Sequence, residues 1–150
     1  MASSYCALWY HVVFATKERR PWISAAIRPQ LHAYLGGIIA TAGGLCRVAG
    51  GIDDHVHLLL CLPQHVSIAD TMRIIKTNSS RWSHRQWPNT LKHGWQDGYS
   101  GFTVSVSQLN RVESYILGQE AHHRSQSYGD ELRQFLDRHG VPYHHDYLPV

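Results

Sequence analysis

Several features that define common protein classes are missing from this chain. No apolar run approaches the roughly 20 residues that a membrane-spanning helix needs. The cysteines Cys6, Cys46 and Cys61 are odd in number, far apart and form no CxxC pair, so neither a disulfide framework nor a zinc ribbon is implied. The first residues carry neither the basic start nor the apolar stretch of a secretion signal. We therefore expect a cytoplasmic protein without a membrane segment.

The composition is that of a globular protein with a small basic excess. Hydrophobic residues make up 43% of the 150 residues and charged residues 17%, so we expect one folded domain over residues 1–150. The net charge is +3 with histidines neutral, and eleven of the fourteen basic residues are arginine. Arginine forms forked contacts with phosphate. This balance is compatible with nucleic-acid binding but does not establish it.

Two histidines stand before the most apolar segment of the chain. His55-Val56-His57 runs directly into three leucines at 58–60. On a strand, residues two apart project from the same face, so both imidazoles lie side by side. Neutral imidazole nitrogen suits several first-row divalent metals. Taken alone, the motif leaves open whether these are metal ligands or ordinary strand histidines.

The apolar periodicity predicts alternating strands and helices along the chain. Ser24 and Ser67 are candidate caps for the first two helices. The predicted strands cover residues 5–15, 45–52, 55–62 and 95–106. The predicted helices cover residues 25–41, 68–86, 108–122 and 128–139. We expect a loop over residues 88–94 and an extended tail over residues 141–147. The order βαββαβ followed by two helices predicts an α+β, ferredoxin-like two-layer sandwich with additional C-terminal helices.

The third predicted helix carries a second polar group. At about 100° per residue, Tyr115, Gln119 and His122 fall within a narrow arc beside an apolar stripe. A functional tyrosine and glutamine would occupy this flank of the helix. The alternative is an edge tyrosine beside a solvated glutamine, and this segment alone does not decide between them.

These two motifs, in this order, resemble the HUH single-tyrosine transposases of certain bacterial insertion sequences and their REP-associated relatives. The similarity extends over nearly the whole chain. The matching segments are Tyr10-His11-Val12-Val13-Phe14 with Lys17 and Arg19-Arg20, Asp54-His55-Val56-His57-Leu58-Leu59, Lys76-Thr77-Asn78-Ser79-Ser80-Arg81-Trp82, Trp95-Gln96-Asp97-Gly98-Tyr99, Ser105-Val106-Ser107, Tyr115-Ile116-x-x-Gln119 and His122-His123.

The resemblance implies a role for each matching residue. His55 and His57 would hold a divalent metal, Mg²⁺ or Mn²⁺, and Gln119 would complete the site. Tyr115 would be the nucleophile, leaving a 5′-phosphotyrosine and releasing a 3′-hydroxyl. Such enzymes act as homodimers on single-stranded DNA that carries a subterminal hairpin. In family members the partner subunit can supply the tyrosine.

Other residues are secondary candidates, each with an ordinary alternative. Asp54 or Asp53 would orient an imidazole or simply form a turn, His11 would lie near the site, and His122 would contact metal or phosphate. We expect surface positions for His123, His144 and His145. Trp95 and Tyr99 would stack on unpaired bases or fill the core. The candidate DNA-backbone contacts, which could equally be solvated faces, are Lys17, Arg19, Arg20, Arg73, Lys76 and Arg81.

Two competing functions remain beside the strand transferase. A histidine-triad nucleotide hydrolase would need a third histidine at position 59, where this chain has leucine. A catalytically silent or domesticated DNA-hairpin-binding protein could share the fold without the chemistry. Because every expected catalytic residue is present, the sequence favours retained activity.

Overall fold

A four-stranded antiparallel sheet forms the centre of the molecule. The computed structural model describes residues 3–88 and 93–148. In this part of the chain the strands are β1 (Trp9–Ala15), β2 (Leu45–Ile52), β3 (His55–Cys61) and β4 (Ser100–Val104). Their order in the sheet is β2-β3-β1-β4, and every neighbouring pair is antiparallel. Two helices, α1 (Arg28–Thr41) and α2 (Ile68–Gln86), connect them. This arrangement confirms the predicted ferredoxin-like βαββαβ order.

Both faces of β3 are buried, which explains its unbroken apolar sequence. Val56, Leu58 and Leu60 face α1 and α2 and pack with the residues of β1 that point the same way. The alternate residues His55, His57 and Leu59 point to the opposite face. A strand covered on both sides needs no polar alternation. The two histidines therefore occupy interior positions of the sheet.

The additional C-terminal helices cover the histidine face of the sheet. They are α3 (Leu109–Leu117), the one-turn α4 (Gln119–His122) and α5 (Tyr128–Arg138). Ile116 of α3 packs on Leu59. Tyr128, Leu132 and Phe135 of α5 lie in a cluster with β1 and β4. The sheet is thus enclosed between two helical layers, with α3 to α5 above the histidines.

Several predicted boundaries differ from the observed ones. The strand predicted over 5–15 begins at Trp9, and the one predicted over 95–106 covers only Ser100–Val104. Before it, Trp95 forms an isolated bridge with Thr16, and Lys76 donates to the carbonyls of residues 96 and 98, so this stretch is a loop. Residues 89–92 of the predicted loop 88–94 lie outside the described residues.

The helix boundaries depend on local capping and glycine. Ser67 caps α2 by accepting from the Asp70 N–H at 3.0 Å, and α2 has the predicted bounds. Ser24 does not cap α1, which begins at Arg28 with proline in its first turn. The helix predicted over 108–122 breaks at Gly118, whose φ of −90° and ψ of 13° end α3. The last helix ends at Arg138, and a 3₁₀ turn at His145–Tyr147 interrupts the predicted extended tail.

No helix in residues 3–88 and 93–148 is long and apolar enough to cross a membrane. All three cysteines are free thiols.

Candidate active site

The two histidines of β3 form the base of the candidate site. His55 and His57 are both 0% exposed, and their ring centroids are 5.1 Å apart. On β1, the residues opposite them are Ala15 and Val13. These small neighbours leave space above the sheet for the imidazoles.

A glycine on β2 allows α3 to approach the histidines closely. Gly50 pairs with His57, and a Cβ at this position would lie 2.4 Å from the Ile116 carbonyl oxygen. Only a residue without a side chain permits this approach. The end of α3 consequently reaches the sheet beside His57, which brings Tyr115 and Gln119 to the site.

A glutamine and a glutamate converge on the two imidazoles. Gln119 Oε1 lies 3.1 Å from His55 Nε2, and Glu131 Oε1 lies 3.0 Å from His57 Nε2 and 3.5 Å from His55 Nε2. The Gln119 amide donates to Glu131 Oε2 at 3.1 Å. Both side chains are about as buried as the histidines, at 1% exposure. The predicted histidine–glutamine group is therefore assembled around a carboxylate of α5.

The Tyr115 hydroxyl reaches the same carboxylate. It donates a hydrogen bond to Glu131 Oε2, and its oxygen lies 3.2 Å from His122 Nε2. Tyr115 is half-buried, and its ring centroid lies 5.9 Å from that of His57. The candidate nucleophile and both histidines thus meet on one carboxylate within a single chain.

Outer partners fix the orientation of three imidazoles. His55 Nδ1 donates to Asp54 Oδ1 at 2.8 Å, and His123 Nδ1 donates to the Gln126 carbonyl at 2.7 Å. His57 Nδ1 lies 2.8 Å from His11 Nε2, so these two rings share one proton. Such outer contacts hold ligand histidines in one rotamer and one tautomer. The predicted candidates Asp54 and His11 both lie in this outer layer, and His122 contacts Tyr115.

The buried charges shift the proton affinities of the group. Burial opposes protonation of His55, but hydrogen bonds to Asp54 and Glu131 and their negative charges raise its pKa to about 9. Burial lowers the pKa of His57 to about 4 and that of His11 to about 3. The surrounding imidazoles overcome the burial of Glu131 and hold its pKa far below the ordinary value. Burial and the Glu131 carboxylate raise the pKa of Tyr115, which keeps the phenol protonated.

The donor set fits a divalent cation. Ligand atoms of His55, His57, His123 and Glu131 all lie within 4.8 Å of one another. Imidazole, carboxylate and carboxamide groups are ordinary ligands of first-row divalent metals. Within the described residues, His123 Nε2 is buried and has no aligned hydrogen-bond partner, although it lies 3.2 Å from Glu131 Oε2. A nitrogen in this state is suited to coordinate a cation.

Sequence reasoning missed two residues of this group. The prediction of His123 as a surface residue is wrong, because the turn after α4 buries its side chain to 5% exposure. Glu131 was not singled out at all. A signal was present, since Glu131 interrupts the apolar stripe of α5 formed by Tyr128, Leu132 and Phe135. A carboxylate in a buried helical stripe requires partners.

The predicted DNA-contacting residues lie in two separate places. Arg19 approaches the site, with Nε 3.5 Å from Asp54 Oδ2 and its guanidinium 5.7 Å from the Tyr128 ring centre. Lys17 is exposed beside it, and Arg20 pairs with Glu18 at 2.7 Å. The α2 residues lie on the other helical layer, where Arg73 and Arg81 are exposed and Lys76 binds loop carbonyls.

The two aromatic candidates have different environments. Trp95 packs in the core against Phe14, and its indole N–H donates to Ser79 Oγ at 2.9 Å. Tyr99 is 36% exposed and lies near the Lys76 ammonium. Trp95 is therefore a core residue, and only Tyr99 keeps an accessible ring.

One cavity opens beside Tyr115, and a second lies next to it. The smaller one, about 160 Å³, is lined by Tyr115, His122, Glu131, Gln134, Phe135 and Arg138. A larger one of about 490 Å³ lies beyond it, between β4, α3 and α5, and shares Phe135 and Arg138. Because Glu131 lines the smaller cavity, the Tyr115 side provides access to its carboxylate.

Comparisons with known proteins agree with this architecture. The crystal structure of a Deinococcus radiodurans R1 protein assigned as a transposase is similar at 25% identity and a TM-score of 0.64; the match covers 77% of this chain and 93% of the other. A REP-associated tyrosine transposase bound to a REP hairpin shares the fold at 15% identity and a TM-score of 0.61, covering 82% and 73% of the two chains. No curated protein matches significantly. The family model of IS200-like transposases matches residues 4–119. This chain therefore belongs to the IS200-like transposase family.

Proposed function

We propose that this chain cuts and rejoins single-stranded DNA at hairpin-bearing ends through a covalent bond to Tyr115. His55, His57 and Gln119 hold the divalent metal. The family resemblance implies that this metal is Mg²⁺ or Mn²⁺. One observation carries the proposal: the Tyr115 hydroxyl and both imidazoles contact a single buried carboxylate. A phenol and a potential metal site this close are what a tyrosine strand transferase requires.

Each residue then has a defined task in the chemistry. A bound divalent cation supplies Lewis-acid stabilisation of the scissile phosphate. The Tyr115 oxygen attacks phosphorus and forms a phosphotyrosine, while the bond to the 3′-oxygen breaks and that oxygen leaves protonated. Glu131 Oε2 accepts the Tyr115 hydrogen bond and so orients the phenol oxygen, and over the whole step the phenol proton is transferred to the departing 3′-oxygen. Attack by a 3′-hydroxyl on the phosphotyrosine reverses the step, so the bond energy is conserved for rejoining.

The substrate class rests on charge and on a structural relative. Lys17, Arg19 and Arg20 lie next to the site and would contact DNA phosphates. The REP-associated transposase that shares this fold is bound to a hairpin, which supports a hairpin substrate here. Arg73, Lys76 and Arg81 of α2 lie on the other layer and would bind a more distant part of the DNA.

The decisive experiment detects the covalent intermediate. Labelled single-stranded DNA with a hairpin is incubated with the protein and Mn²⁺ or Mg²⁺, and protein–DNA adducts are resolved on denaturing gels. We expect an adduct that chelation and Tyr115→Phe both abolish. Tyr5→Phe is the matched control, because Tyr5 is 92% exposed and outside the site.

The other outcomes of this experiment contradict the proposal. Adduct formation by Tyr115→Phe would show that another residue is the nucleophile. Tight hairpin binding without any adduct would instead indicate the catalytically silent DNA-hairpin-binding protein.

A further inference from the structure

We infer that His123 and Glu131 are further direct ligands of the metal, so that three imidazoles and one carboxylate join the Gln119 carboxamide in a centre that selects a transition ion over Mg²⁺. This inference extends the metal site of the proposed function and rests on it. Both residues lie beyond residues 4–119, the segment that the family model matches. The ligand set inferred here therefore depends on parts of this chain that the family pattern does not cover.

The first argument is geometric. One ligand atom from each of His55, His57, His123 and Glu131 lies within 4.8 Å of the other three. None of these side chains is more than 5% exposed. A cation placed among them would be coordinated without large movement of the backbone.

The second argument concerns the nitrogens that point inward. The Nδ1 atoms of His55 and His123 donate to oxygen acceptors, so each ring turns Nε2 towards Glu131. His57 has an imidazole partner, His11, whose Nε2 can accept a hydrogen bond from the His57 Nδ1–H and so leave Nε2 of His57 for a metal. A neutral histidine with Nδ1–H engaged outside presents Nε2 as the ligand atom.

The third argument is that Glu131 sits on a firmly packed element. Ser127 caps α5 by accepting from the Asp130 N–H at 3.2 Å, and the flanking residues Tyr128 and Leu132 are buried against the sheet. The two oxygens of Glu131 face different groups: Oε1 faces His55 and His57, and Oε2 faces Tyr115, Gln119, His122 and His123. Coordination through Oε1 would leave Oε2 in contact with the nucleophile.

The ligand chemistry determines which metal is preferred. Imidazole suits zinc, iron, nickel and copper, whereas Mg²⁺ prefers oxygen ligands and retains several waters. Three imidazoles therefore favour a first-row transition ion. Mn²⁺, Co²⁺ and Zn²⁺ should all bind more tightly than Mg²⁺.

Cobalt binding tests the inference without any reaction. Co²⁺ is titrated into the metal-free protein while its visible absorption and the heat of binding are recorded. We expect one Co²⁺ per chain that excess Mg²⁺ does not displace. Glu131→Gln and His123→Ala should each weaken Co²⁺ binding by about 10–100-fold or more, and each should change the absorption spectrum at saturation.

Matched controls separate coordination from general damage. Asp130→Asn removes an exposed carboxylate next to Glu131, and His65→Ala removes an exposed histidine, so neither should affect Co²⁺ binding. The spectrum at saturation reports the ligands themselves, so it stays informative if a variant is less stable. Wild-type affinity and spectrum in both site variants, or ready displacement by Mg²⁺, would overturn the inference.

The test also distinguishes this inference from the proposed function. Tyr115→Phe should bind Co²⁺ like the wild type, because the phenol is not a ligand. If Glu131→Gln and His123→Ala lose Co²⁺ binding and the wild type forms no DNA adduct, only the proposed function is contradicted. If the wild type forms the adduct and both variants bind Co²⁺ as the wild type does, only this inference is contradicted.

Discussion

Glu131 shows how a single residue can organise a site that no short motif contains. Its carboxylate is 1% exposed and lies within 3.5 Å of nitrogen atoms from four histidines, His55, His57, His122 and His123. A buried carboxylate is costly unless it is paired and hydrogen-bonded. Here the imidazoles, the Gln119 amide and the Tyr115 hydroxyl satisfy it. Its position thus couples the candidate nucleophile to the candidate metal ligands.

His32, on α1 and away from the site, predicts a pH-dependent stability. Burial and the nearby Arg28 charge lower its pKa from 6.5 to about 4, and its buried Nε2 has no hydrogen-bond partner among the described residues. Between these pKa values the unfolded chain binds more protons than the folded one, so stability falls as the pH drops from 6.5 towards 4. At about pH 5 we expect the titration of His32 to lower the free energy of unfolding by roughly 1–2 kcal/mol relative to neutral pH.

Urea unfolding at neutral and acidic pH measures this effect. His32→Leu should lose less stability than the wild type on acidification, because it removes the titrating group but keeps an apolar side chain. His65→Leu, at an exposed position before α2, should keep the wild-type dependence. Equal pH dependence in wild type and His32→Leu would mean that His32 is not held neutral by the fold.

Gly50 controls how closely α3 approaches the sheet. A Cβ there would collide with the Ile116 carbonyl, which belongs to the backbone and has little freedom to move. Gly50→Ala should therefore destabilise the fold by about 1–3 kcal/mol, as overpacked sites do. It should also shift Tyr115 and Gln119 away from the histidines and reduce adduct formation.

Gly37→Ala is the matched control for this substitution. Gly37 lies within α1, and a Cβ there would meet no atom within 4 Å. The same chemical change should stabilise the protein by about 0.5–1 kcal/mol through helix propensity. Urea unfolding of both variants gives the comparison. A stable, fully active Gly50→Ala protein would show that α3 can move without consequence.

Local patterns predicted the elements better than they predicted how those elements pack. β3 and α2 were predictable because His55-Val-His57 with its leucines and the Ser67 cap are strong local signals. The break at Gly118 was not, since the apolar and polar periodicity continues across it. The contact of Gly50 with Ile116 depends on two backbones meeting, which no side-chain pattern reveals.

The candidate site was predictable only where its residues belong to short local motifs. His55, His57, Tyr115 and Gln119 were found because short motifs carry them, and the structure brings all four together. Glu131 was not, since it reaches the histidines only after α5 folds back onto the sheet, 76 residues along the chain from His55. The buried stripe of α5 is visible in the sequence, but its packing partner is not.

In the whole molecule, two helical layers enclose the sheet, and the cavity beside Tyr115 reaches the Glu131 carboxylate. His55 and His57 are fully buried, whereas Tyr115 is half-buried and borders the cavity of about 160 Å³. Glu131, Gln119 and Tyr115 belong to the same chain as the histidines. The homodimer implied by the family resemblance stays a prediction, and the site does not require a second subunit for any of these residues.

Complementation between two inactive variants tests whether one chain is sufficient. His57→Ala lacks a metal ligand and Tyr115→Phe lacks the nucleophile, so a mixture contains a complete site only if a partner's tyrosine can act. Because all these residues converge within one chain, we expect no adduct from the mixture. Each variant mixed with wild type should still give an adduct, which controls for inhibition. If the adduct is recovered in mixtures whose subunits demonstrably exchange, the tyrosine acts across subunits. In that case α3 would have to move away from the position beside Gly50 that it occupies here.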